Sequence, residues 1–152
     1  MNLFPFIKLR EKVTEAISYH VDLLQPTSLV RERAGILLYE SMRFEEQFAQ
    51  VGIGTVPDMH AYRLRARMKI IALKVKPRYI SSFECRDLKR GIYGGGIHVQ
   101  NVGSFAIYGL NEYIGEACLL YGLKTLDIVD EQYIETILML SNNRHQTIFT
   151  MR

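Results

Sequence analysis

The chain has 152 residues, 48% of them apolar and 23% charged, with a formal net charge of +3. That length suits one ordinary domain, and the composition is that of an average globular protein, which excludes a disordered chain and a fibrous repeat. No apolar run reaches the ~20 residues of a membrane-spanning helix, and Pro5 and Lys8 interrupt the stretch where a signal peptide needs continuity, so a cytoplasmic protein is expected.

From Ile7 to Gln25 the apolar positions Val13, Ala16, Ile17 and Leu24, joined by His20, recur at the three-and-four spacing of an amphipathic helix, and Pro26 ends it. Thr27 or Ser28 then serves as N-cap to a second helix, whose apolar side runs through Val30, Ala34, Leu37, Leu38, Phe44 and Phe48 until Gly52 and Gly54. The short connection predicts an antiparallel helical hairpin.

The period next changes from 3.6 to 2. Tyr62, Leu64, Ala66, Met68 and Ile70 alternate with Arg63, Arg65, Arg67 and Lys69, the pattern of a half-buried strand. These residue types are good helix formers. Wound at 100° per residue, however, the five apolar positions fall at about 0°, 200°, 40°, 240° and 80°, which makes no single face. A basic β-strand is therefore expected. The phase slips at Ile70 and Ile71, as at a bulge or turn, and Leu73 and Val75 then alternate with Lys74 and Lys76 up to Pro77.

Arg78 to Cys85 reads either as an extended piece or, with Ser81 and Glu84 as a capping box, as a short helix. The glycines at 91, 94, 95 and 96 lead into the alternating Ile97 to Gln100 and the apolar Phe105 to Tyr108, a hairpin or two short strands. Leu110 to Tyr121 returns to helical spacing with Gly122 as C-cap, Asp130 is a good N-cap for a last helix, and His145 to Met151 reads as an edge strand. The whole reads as an undivided α+β chain: an N-terminal helical hairpin, a central antiparallel sheet containing the basic strand, and two C-terminal helices.

Charge is distributed unevenly. Between His60 and Arg90 ten cations face only Glu84 and Asp87, whereas six acids between Asn111 and Glu135 face only Lys124. On an extended backbone Arg63, Arg65, Arg67 and Lys69 would project every ~6.6 Å, a cationic row about 20 Å long that Lys74, Lys76 and Arg78 continue. Such a row suits nucleic acid or another polyanion, with Tyr62, Tyr79, Phe83 and Tyr93 near it for stacking. It equally suits a charged sheet edge guarded against aggregation, or docking on an acidic protein surface. Glu112 and Glu116, one helical turn apart, read as a solvated face; with Asp127, Asp130 and Glu131 they form the alternative of an acidic surface that receives a second copy, hence a homo-oligomer.

Other chemistry is fainter. Asp58 with Asp87 and Lys89 loosely resembles the carboxylates and lysine of a metal-dependent nuclease, with Glu40, Glu45 or Glu46 as a further ligand. The four glycines do not have phosphate-loop spacing. His20, His60, His98 and His145 show no close ligand spacing; His98 could act as a general base, yet Ser104 lacks the second glycine of a nucleophile elbow. Cys85 and Cys118 read as buried free thiols of a reducing compartment. No motif calls for a cofactor. The expectation is a non-enzymatic binding or assembly protein acting through the basic strand, with a protein-interaction subunit and a nuclease as alternatives.

Overall fold

The computed structural model describes residues 4–24, 33–76 and 79–143. The caps at 27 and 28, Val30, Pro77, Arg78 and the segment 145–151 lie outside them. In chain order the elements are α1 (Phe6–Leu24), β1 (Ala34–Ser41), β2 (Glu46–Gly52), α2 (Met59–Leu73), two 3₁₀ turns (Ser82–Cys85 and Leu88–Arg90), β3 (Gly96–Val99), β4 (Gly103–Tyr108), α3 (Glu112–Thr125) and α4 (Glu131–Ser141). The α+β class, the N-terminal helix, the antiparallel sheet and the two C-terminal helices agree with the sequence pattern. The strands pair antiparallel throughout, in the order β2-β1-β4-β3.

The second helix of the expected hairpin is instead the β1–β2 hairpin, with Leu37 opposite Ala49 and Leu38 opposite Phe48. Strand β1 is central in the sheet, and both of its faces are covered, so Ile36, Leu37, Leu38 and Tyr39 are all buried. Burial on both sides erases the alternation that marks a strand, leaving an apolar run that also fits a helix. The chain reverses where Ser41 Oγ accepts from the backbone N–H groups of Arg43 and Glu45, and Phe44 takes a left-handed φ of 64°.

The two faces of the sheet carry unequal cores. On one face Leu37, Tyr39, Ile97, Phe105 and Ile107 meet Leu9, Val13 and Ile17 of α1 and Ala117, Leu120 and Leu123 of α3, and α4 adds Ile134, Ile137 and Leu138. Gly122 sits inside α3 rather than ending it: a Cβ there would stand 2.9 Å from side-chain carbons of Leu9 and Val13, so its absence lets α1 and α3 close together. On the other face only Leu38 and Ala106 of the sheet and Ala66 and Ile70 of α2 form the apolar centre.

That α2 is a helix overturns the basic strand. Asp58 caps it, accepting from the N–H of Ala61 at 3.0 Å. The alternation arises because the helix carries four stripes. At 100° per residue, Tyr62, Ala66, Ile70 and Leu73 cluster near about 35°, and Leu64, Met68 and Ile71 near about 210°. Basic residues occupy both flanks, Arg63 and Arg67 near about 120° and Arg65 and Lys69 near about 320°. Two opposed apolar faces cancel in any search for one face, which is why the periodicity mimics a strand.

The remaining elements follow their local signals. Ser81 and Glu84 form the capping box, and it opens a 3₁₀ turn. β3 and β4 form the glycine-led hairpin, with Ile97 opposite Phe105. Asn111 and Asp130 cap α3 and α4, each accepting from backbone N–H groups of the first turn.

Candidate docking face on α2

Coiling α2 turns Arg63, Arg65, Arg67 and Lys69 to different sides of a cylinder, so these four form no row of parallel cations. Arg63 Nε donates to Glu46 of β2 at 2.6 Å, and Arg67 grips the other oxygen of the same carboxylate through Nη2 at 2.7 Å. Burial of Glu46 pushes its pKa up, but the two guanidinium groups outweigh that and hold it below the usual carboxylate range. Arg63 also stacks 4.2 Å above the ring of Phe48. Lys74 pairs with Glu40 of β1 and lies 4.9 Å over the ring of Phe44. These cations fasten α2 and the turn at its end to the β1–β2 hairpin.

Lys69 goes inward. It is 4% exposed, and its Nζ donates to the carbonyl of Ile107 at 2.6 Å. The N–H of Ile107 already bonds to Gly95, where β3 parts from β4, so the ammonium supplies the donor that a continuing strand would offer. Gly95 makes room for it: φ is +105° there, and a Cβ would stand 3.0 Å from Nζ. Burial lowers the Lys69 pKa to about 8, with Glu112 opposing. Arg65 and Lys76 remain exposed, and neither forms an ion pair among the described residues. Arg78 lies outside the described residues.

The acidic segment is likewise redistributed. Glu116 has no exposed surface, and Glu112 pairs with Arg86 at 2.6 Å while accepting from the N–H of Gly94. The glycine loop thus meets a carboxylate of its own chain. Neither glutamate belongs to a solvated face, and neither is available to receive a second copy. Asp58 and Asp87 both cap helical turns, and among the described residues no three His, Cys, Asp or Glu side chains are grouped to hold a metal ion. Cys118 is buried as expected, but Cys85 is only half-buried.

No family model, curated protein or solved structure matches the chain. Its surface has to be interpreted from its own chemistry.

What single-face reasoning misses is the outward stripe of α2. Leu64 is 42% exposed, Met68 39%, Ile71 55% and Val75 73%. Leu64, Met68 and Ile71 follow one another at four and three residues, about 10 Å or two turns along the axis, and Val75 lies in the turn just beyond the helix end. The signal was present in the sequence as the half of the apolar positions that fails to share a face with Ala66 and Ile70. On one side of the stripe stand Arg65 and Lys76; on the other, two arginines share the single carboxylate of Glu46. The surroundings of the stripe are therefore positive. No helix of the described residues is long and apolar enough to cross a membrane.

Proposed function

We propose that this protein is a non-enzymatic interaction module whose α2 docks an amphipathic helix carrying acidic flanks, on a partner protein. The observation that carries the reading is the stripe of Leu64, Met68 and Ile71 on α2, followed by Val75 in the turn beyond it, left in solvent between positively charged flanks. Contiguous exposed apolar surface on a folded domain marks a site of association. Its helical spacing suits ridge-into-groove packing against another helix, and the uncompensated cations select glutamate and aspartate at the rim. Nucleic acid fits less well, because the cations it would use are split between two flanks with hydrocarbon between them.

The test uses a synthetic helical peptide with leucines at matching spacing and glutamates beside them. Expected are amide shifts confined to α2 and binding that weakens with salt. Ile71→Glu should lower the affinity at least tenfold without changing the fold, since the side chain touches no core. Equal binding of a lysine-flanked peptide, tighter binding of a single-stranded oligonucleotide or of anionic lipid vesicles, or self-association abolished by Ile71→Glu would each overturn the reading.

A further inference from the structure

Where α2 ends, the sheet face beneath it changes character. Two residues beyond the apolar Leu38 and Ala106, the strands present Glu40, Ser104 and His98 side by side, since Glu40 and His98 are both register partners of Ser104. Directly opposed residues of this kind have Cβ atoms about 4.5–5.5 Å apart, so a carboxylate, a hydroxyl and an imidazole line up across three strands. A polar row on a covered sheet face costs desolvation and calls for a reason.

The row floors a cavity of about 290 Å³, walled by Leu73 and Tyr79 on one side and by Met42 and Phe44 of the β1–β2 turn on the other. His98 Nδ1 lies 3.0 Å from Ser104 Oγ. Ser104 is only 4% exposed, so its hydroxyl serves to orient the imidazole. That contact occupies Nδ1 in either tautomer and leaves Nε2 as the ring nitrogen with no hydrogen bond to the described residues. Burial, and then the Lys74 ammonium, hold His98 below the ordinary histidine range, which keeps the ring neutral at pH 7. Phe44 is held at φ 64° with 74% of its surface exposed, a left-handed conformation that is strained for a bulky residue. Core packing does not account for keeping it there.

Lys74 and Glu40 give this cavity one charge of each sign, next to the His98 ring and an apolar wall. We infer that it binds a free α-amino acid with an apolar side chain, the carboxylate on Lys74 and His98, the ammonium on Glu40, and the side chain against Phe44 and Met42. In the free protein Lys74 and Glu40 hold each other, but the lysine side chain is 43% exposed. The Glu40 side chain is 18% exposed, but solvent at the lysine screens the pair, and a zwitterion exchanges that one contact for two. A ligand with a single charge would strip one member of the pair and leave the other unmatched.

Leucine and phenylalanine, titrated by NMR against the whole chain, should shift the His98 ring and the Phe44 resonances with millimolar or better affinity. N-acetylleucine and leucinamide, each lacking one charge, should bind at least tenfold more weakly. Glu40→Gln should erase the preference for leucine over N-acetylleucine, and His98→Gln should weaken leucine while the amide spectrum elsewhere stays unchanged. Equal binding of all three leucine compounds would reduce the site to an apolar crevice, and absence of any shift would remove it; either result overturns the inference.

Discussion

A carboxylate with no exposed surface has to be held by donors, and Glu116 is held by three. Ser141 Oγ stands 2.5 Å and Asn143 Nδ2 3.3 Å from one oxygen, and Ser81 Oγ donates to the other at 3.0 Å. These bonds favour the ionised form, yet burial outweighs them and raises the pKa to about 7. A carboxyl whose pKa is raised on folding contributes stability that is complete below the unfolded pKa and is lost as pH rises through the folded one. Stability should therefore fall between about pH 4.5 and pH 7, by an amount on the order of 3 kcal/mol if the whole shift is expressed. Glu116→Gln should flatten that fall, as followed by urea unfolding at pH 5 and pH 8; an undiminished drop in the variant would assign it to other groups. Nothing in the spacing of Glu112 and Glu116 foretold this burial, because Ser81 and Ser141 are 35 and 25 residues away in sequence.

At the scale of elements, α2 is tied to β2 by two guanidinium groups on one carboxylate. Glu46→Gln should destabilise the protein by about 1 kcal/mol, a modest figure because both arginines are about a third exposed and solvent screens the pairs. The cost should shrink in high salt and vanish at acid pH, where Glu46 is protonated in both states; a salt-independent loss would point to packing instead. Elements with strong local signals were legible in the sequence: the periodic face of α1, the Asp130 cap, the Ser81–Glu84 box and the glycine-led hairpin. Those that failed did so for definable reasons. The run at 36–39 lost its alternation through burial on both sides, and α2 acquired a false one by being apolar on two sides. The polar row of Glu40, Ser104 and His98 could not be found at all before the register of three strands was known, although His98 and Ser104 were each visible as reactive types.

For the whole molecule the decisive fact is asymmetry. One side of the sheet is filled by interlocking side chains from three helices, while the other rests on Leu38, Ala66, Ile70 and Ala106 with charged tethers around them. Segments with little buried apolar contact open at lower free energy than the global unfolding transition. Amide hydrogens of α2 should accordingly exchange faster than those of α3 under native conditions, and strengthening denaturant should merge the two only near the midpoint; equal protection at all denaturant concentrations would show a single cooperative unit. Occupation of the outer stripe by a partner should slow exchange in α2 selectively, linking association to local order.

The four-striped surface of α2 also bears on how one orientation is chosen. Turned by half a revolution about its long axis, this helix would offer Leu64, Met68 and Ile71 to the strands, a set as greasy as the Ala66 and Ile70 now inside. Greasiness alone is thus degenerate between two poses. What breaks the tie is the arrangement of hooks: the fork onto Glu46 and the ammonium threaded to Ile107 fit together from one pose only. The arginines and lysines that give the segment its conspicuous composition thus act as a key for rotational choice, beside the modest stability that their pairs supply.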